Sequence, residues 1–184
     1  MSKICKGIAA KHATSIRNTI TVLHALSGWS IDEFLEKSSI AKYDPNEPIM
    51  FQGAIGDQVY FLFSGSVKVI VDGQVISQLA RSGDVFGEMG ALAGLPRSAT
   101  IEAGENGAVC LICDMASIHS LKEPEQRLAL LKILSASLAD KLKINNNVIS
   151  NAKARIQELE IEKRDLAEDK KVLKIALKDR YIQD

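Results

Sequence analysis

Three rhythms of apolar positions divide this chain. Over residues 4–26, Ile4, Ile8, Ile16, Ile20, Leu23 and Leu26 keep mostly helical spacing, which predicts helix. A second, short helix is expected at 30–37, with Ser30 as N-cap and Glu33 three residues on as a capping box. Between about 40 and 113 the rhythm shortens to β-prone runs. They are broken by Asp44-Pro45-Asn46, Gly53, Gly56-Asp57, Ser64-Gly65, Asp72-Gly73, Ser82-Gly83-Asp84, Gly104 and Gly107. Val67–Val71, then Asp72-Gly73, then Gln74–Leu79 is a hairpin signal. Short strands at this spacing predict an antiparallel β jelly roll, so the expected fold class is mainly β plus α. The expected domains are an N-terminal helical region (1–38), a β-roll (39–122) and a long helix (123–184).

After Pro124 the chain contains no Gly or Pro. With Leu128 as heptad position a and Leu131 as d, eleven of the fifteen a and d positions through Leu177 are apolar. That pattern predicts a coiled coil, roughly 75 Å or more in length. A lone amphipathic helix of that length leaves its seam uncovered, so a partner helix is expected. Arg155 with Glu160 and Asp169 with Lys174 would be oppositely charged g-to-e pairs of a parallel homodimer. Lys163 and Lys170 at a positions favour two strands. The alternative is one helix folded back on its own domain.

Residues 86–100, Phe-Gly-Glu-Met-Gly-Ala-Leu-Ala-Gly-Leu-Pro-Arg-Ser-Ala-Thr, interrupt the strand series. Gly87 opens a short helical stretch and lets the backbone approach a ligand closely. The amides of Met89 and Gly90 would then lack intrahelical partners, and Pro96 is expected to stop the turn. Arg97 offers a planar fork for two oxygens of one small anion, beside the hydroxyl of Ser98. An ionised Glu88 accepts hydrogen bonds and suits a sugar hydroxyl rather than a phosphate. Phosphate and ribose in one loop describe a nucleotide carrying a single phosphodiester charge. The competing reading is a surface turn in which Glu88 and Arg97 pair with each other, contributing about 0–1 kcal/mol.

Composition narrows the function classes. Basic and acidic side chains number 23 each, so no general pull toward nucleic acid or membrane arises. Residues 122–184 hold 14 basic and 11 acidic side chains, a net +3. No apolar stretch reaches the length of a membrane span, and the N-terminus lacks a signal-peptide core. Cys110 and Cys113 are three apart in a strand-like run, which places them on opposite faces as buried free thiols rather than metal ligands. Cysteine usage fits a cytoplasmic compartment. His12, His24 and His119 are scattered, and no nucleophile, metal or kinase-like motif is present. Binding without catalysis is therefore expected, with no metal.

Residues 86–100 resemble the phosphate-binding cassette of cyclic nucleotide-binding domains, whose fixed positions correspond to Phe86, Gly87, Glu88, Arg97, Ser98, Ala99 and Thr100. Gly53, Gly56-Asp57, Val59–Leu62, Gly65 and Val67–Val69 extend the likeness over about residues 20–150. Residues 134–142 resemble the dimer helix of the bacterial catabolite activator (cAMP receptor-like) family. The resemblance implies a cyclic nucleotide ligand held by Gly87, Glu88, Met89, Arg97, Ser98 and Ala99. It implies cAMP as the ligand, through the serine at 98, with cGMP possible. It also implies that Asn145 and Asn146 contact the base; the other reading of Asn145 is a register-setting polar residue in the seam. That family carries a helix-turn-helix after its dimer helix, but the heptads here continue past residue 150, so no DNA-binding domain is expected. The implied role is a signal receptor acting on an unknown downstream protein. Two alternatives stand: a coiled-coil adaptor with a vestigial pocket, and a regulatory fragment of a larger signalling enzyme.

Overall fold

The computed structural model describes residues 3–6, 14–16, 18 and 28–180. It divides into two units, residues 1–138 and 139–184. In the first, strands β1 (Lys3–Lys6), β2 (Ser39–Tyr43), β3 (Pro48–Met50), β4 (Gln58–Val71), β5 (Gln74–Leu79), β6 (Val85–Phe86) and β7 (Thr100–Asp114) form one antiparallel sheet. Its main path runs β1-β2-β7-β4-β5, with β3 also paired to β7 and β6 to β4. The helices are α1 (Gly28–Glu36), α2 (Glu88–Ala93), α3 (Met115–His119) and α4 (Pro124–Arg180). The chain therefore folds as an antiparallel β-roll followed by a long C-terminal helix.

Two long strands organise the sheet. Val59-Tyr60-Phe61-Leu62 is a continuous apolar run because β4 is covered on both faces. Val59 and Phe61 join one core with Phe34, Leu35, Val85, Leu111, Cys113, Ile118 and Leu121. Tyr60 and Leu62 face the other, with Ala41, Val67, Phe86, Ile101, Ala103 and Cys110. Phe34 meets Phe61 edge-on at 6.1 Å, and Tyr60 stacks on Phe86 at 5.0 Å. Cys110 and Cys113 lie in different cores as free buried thiols. Burial pushes the Cys110 thiol up to about 12. Among the described residues, no group of His, Cys, Asp and Glu could hold a metal.

The β4–β5 hairpin turns on Asp72 (φ 50°) and Gly73 (φ 77°); two positive φ values match the twist of the flanking strands. Ser64-Gly65 and Gly104/Gly107 do not end strands. They sit inside β4 and β7, where the register shifts at Leu62/Ser64 and Gly65/Val67. Gly65 leaves room for the Gly107 carbonyl, which a Cβ there would overlap, so these glycines mark bulges.

Two local expectations are corrected. Residues 3–6, taken into the N-terminal helix by Ile4, form a strand against β2; pairing there satisfies the open backbone edge of β2. Helix α1 begins at Gly28, so Ser30 lies inside it, and Glu33 pairs with Lys37 at 3.2 Å instead of closing a capping box. Of the other predicted N-terminal positions, Ile16 is buried in the first core, while Ile8, Ile20, Leu23 and Leu26 lie outside the described residues.

The first turns of α4, up to Leu138, bury Gln126, Leu130, Ile133 and Leu134. The proposed seam uses a different face: Leu128 is 53% exposed. In the second unit the helix exposes Leu142, Ile149, Ile156, Leu159 and Leu166. Arg155 pairs with Glu158 at 2.9 Å on the same helix. No described helix is long and apolar enough to cross a membrane.

Candidate functional site

The site is built where β6 hands over to α2. Gly87 caps α2 in a left-handed conformation (φ 81°) with no side-chain cap. The first intrahelical bond runs from the Ala91 amide to the Gly87 carbonyl at 3.2 Å. Helix geometry leaves the Met89 and Gly90 amides without an intrahelical acceptor. Gly94, also left-handed (φ 64°), ends the helix, and the Leu95 amide returns to the Gly90 carbonyl at 3.1 Å. The stop thus comes two residues before Pro96, because a left-handed glycine caps the carbonyls directly.

Glu88 and Arg97 are 1% and 4% exposed, which removes the reading of a surface turn. Arg97 Nη1 donates to the Gly87 carbonyl at 2.5 Å and Nη2 to the Gln58 carbonyl at 2.8 Å. Those contacts use two of the five N–H donors of a guanidinium. Arg97 is thereby fixed beside the backbone that carries Glu88. Ser98 is exposed and donates to the Met89 sulfur at 3.8 Å. Ala99 is buried at the entrance to β7. Tyr60, on the strand behind, has its phenol pushed up by burial, opposed by the Arg97 cation.

Sequence reasoning missed the second wall. Residues 51–58 are laced to the end of the cassette: the Gly53 amide donates to the Arg97 carbonyl at 2.8 Å and the Arg97 amide to the Ala54 carbonyl at 2.9 Å. The Gln52 amide donates to Thr100 Oγ1 at 2.9 Å. A Cβ on Gly56 would come within 3.0 Å of Arg97 Nη2. The only signal was the turn residues Gly53 and Gly56-Asp57, since a backbone carbonyl such as that of Gln58 has no side-chain signature.

The first unit therefore brings together Gly87, Glu88, Met89, Arg97, Ser98 and Ala99. Asn145 and Asn146 belong to the second unit, exposed on α4.

Residues 40–121 match the family model of the cyclic nucleotide-binding domain. A cGMP-dependent protein kinase from Toxoplasma gondii is 44% identical over 72 residues, 39% of this chain and 7% of the kinase. The chain thus spans a small part of that relative. A cyclic nucleotide-binding domain from Methylobacillus flagellatus KT superposes with a TM-score of 0.68 at 17% identity, covering 77% of this chain and 84% of the other. A protein kinase A regulatory domain bound to the analogue Sp-2Cl-cAMPS superposes with a TM-score of 0.62 at 25% identity, covering 77% and 94%. Over residues 40–121, the chain carries a domain of the cyclic nucleotide-binding family.

Proposed function

We propose that this protein is a non-catalytic cyclic nucleotide receptor whose preferred ligand is cAMP. The observation that carries the reading is the burial of Glu88 and Arg97 in one cassette, with the guanidinium anchored to the Gly87 carbonyl at 2.5 Å. A guanidinium fixed in one place by two backbone carbonyls is preorganised to take an anion. Arg97 takes the cyclic phosphate together with the Met89 and Gly90 amides, Glu88 accepts from the ribose 2′-hydroxyl, and Ser98 and Ala99 line the phosphate. Ser98 and the cAMP analogue held by the kinase A neighbour favour cAMP; the Toxoplasma relative is cGMP-dependent, so cGMP is the competing ligand.

Asn145 and Asn146 serve the base, and the exposed seam of α4 pairs in parallel with a second copy. Nucleotide binding favours one arrangement of α4 over another, and the helix passes that bias to a downstream protein in the cytoplasm. A second reading, a regulatory segment of a larger kinase-like protein, is favoured by the 7% share of the Toxoplasma kinase that aligns. Calorimetry with cAMP, cGMP and 5′-AMP tests the proposal. Heat with a cyclic nucleotide and little with 5′-AMP is expected. No heat with any of the three would favour a vestigial pocket in a coiled-coil adaptor. Hydrogen exchange on α4 with and without cAMP tests the coupling; identical protection would refute it.

A further inference from the structure

The sulfur atoms of this protein are unequally guarded. Cys110 and Cys113 are buried in separate cores, and burial holds both thiols protonated, which makes them poor targets for peroxide. Met50 is buried in the second core, and Met115 packs partly buried against the first. Met89 is 52% exposed, on the first turn of α2 next to Glu88. Its sulfur receives the Ser98 hydroxyl at 3.8 Å, one residue from the guanidinium that anchors the cassette. The most accessible thioether among the described side chains therefore touches the hydroxyl that the proposed function assigns to phosphate.

We propose that Met89 is a redox modification site of the cassette. A hydroperoxide oxidises its thioether to the sulfoxide, the sulfoxide lowers affinity for the nucleotide, and reduction restores it. The inference rests on the reading of the cassette as a nucleotide site. In the chemical step a sulfur lone pair attacks the distal peroxide oxygen and the O–O bond breaks. An S–O bond forms, and the departing oxygen leaves as water or alcohol after taking a proton. Sulfur loses two electrons and the peroxide gains them.

The consequence follows from acceptor strength. A thioether is a weak acceptor, so in the reduced state Ser98 gives up its contact readily to a phosphate oxygen. A sulfoxide oxygen is a strong, partly negative acceptor. Bonded to the sulfur that Ser98 already meets, it competes with phosphate for that hydroxyl more strongly than the thioether does. It also sets the negative end of the S–O dipole near the place where Arg97 takes an anion. Both effects oppose phosphate, and neither requires unfolding.

The test uses the full chain. Wild type, Met89→Leu, Met89→Gln and Met115→Leu are each titrated with cAMP by calorimetry before and after hydrogen peroxide, and peptide mass spectrometry locates the oxygen. Met89 is expected to oxidise before Met50 and Met115. Wild type and Met115→Leu are expected to lose about tenfold in affinity, the scale of one strong polar contact, and to recover it with the two methionine sulfoxide reductases. Met89→Leu is expected to show the same affinity before and after peroxide, whatever its starting value. Met89→Gln, a permanent strong acceptor, is expected to bind more weakly than Met89→Leu without any oxidant. Unchanged wild-type affinity with Met89 fully oxidised would overturn the proposal, as would an equal loss in Met89→Leu. Absence of nucleotide binding before treatment would sink the nucleotide reading, and this site with it.

Discussion

Replacing Gly87 by alanine separates two costs that the cassette places at one atom. At φ 81° a Cβ is disfavoured wherever it stands, by about 1–2 kcal/mol. At Gly87 that Cβ would also lie 2.9 Å from Arg97 Nη1, 2.9 Å from the Gln58 carbonyl and 3.1 Å from Met50 Cε. The methionine end can move. The Gln58 carbonyl is backbone of β4 and accepts from Arg97 at 2.8 Å, so it cannot move without disturbing the guanidinium. Overpacking of this kind adds about 1–3 kcal/mol, for a total of roughly 2–5 kcal/mol. Gly94 supplies the control. It is also left-handed, at φ 64°, but a Cβ there meets nothing within 4 Å, so Gly94→Ala bears only the backbone cost of about 1–2 kcal/mol. Urea unfolding followed by circular dichroism measures both. Calorimetry should show Gly87→Ala losing about tenfold or more in nucleotide affinity through the displaced charged donor, with Gly94→Ala within about twofold of wild type. A Gly87→Ala protein as stable and as tight-binding as Gly94→Ala would refute the reasoning.

Other consequences can be read from the same structure. Gln52 exchanges two hydrogen bonds with Asp72, from Nε2 to Oδ1 at 3.0 Å and from the Asp72 amide to Oε1 at 2.9 Å. Gln52→Ala should cost about 1 kcal/mol in urea unfolding, and Gln52→Glu should cost more at pH 7, where two carboxylates would meet; a Gln52→Glu protein as stable as wild type would contradict this. Burial raises the Cys110 thiol from 9.0 to about 12, so the unfolded chain loses that proton first and stability falls as pH rises from about 9 toward 12. Cys110→Ala should flatten that decline in part, since Tyr43, Tyr60 and Cys113 shift in the same direction; an unchanged slope would argue against it. Leu159→Lys with Leu166→Lys alters exposed seam positions, so sedimentation should show loss of the proposed dimer, and an unchanged mass would argue against the seam.

The β-roll was legible because its signals are local. Asp72-Gly73 between β-prone runs gave the hairpin, and the short runs between turn residues gave the antiparallel strand series, whereas the two-sided burial of Val59–Leu62 came from the structure. The cassette was legible because Glu88 and Arg97 are side chains whose chemistry survives in one dimension. What holds Arg97 was not legible, because both acceptors are carbonyls of Gly87 and Gln58 and carry no residue type. The depth of Glu88 was likewise invisible, since burial depends on strands far along the chain. Glycine misled at Gly65 and Gly107, where it serves strand-to-strand approach rather than a turn, and it was undervalued at Gly94, where it ends α2 ahead of Pro96. Ile4 misled in the opposite sense: a short segment beside an open sheet edge takes its conformation from that edge.

The central claim is that Glu88 and Arg97 recognise two parts of one nucleotide. Calorimetric titration of wild type, Glu88→Gln and Arg97→Ala with cAMP and 2′-deoxy-cAMP tests it most directly. Wild type should bind cAMP more tightly than the deoxy ligand. Glu88→Gln should bind cAMP more weakly and discriminate less between the two ligands, because the carboxylate that reads the hydroxyl is gone, and Arg97→Ala should bind neither. Equal discrimination in wild type and Glu88→Gln, or undiminished binding by Arg97→Ala, would contradict the account.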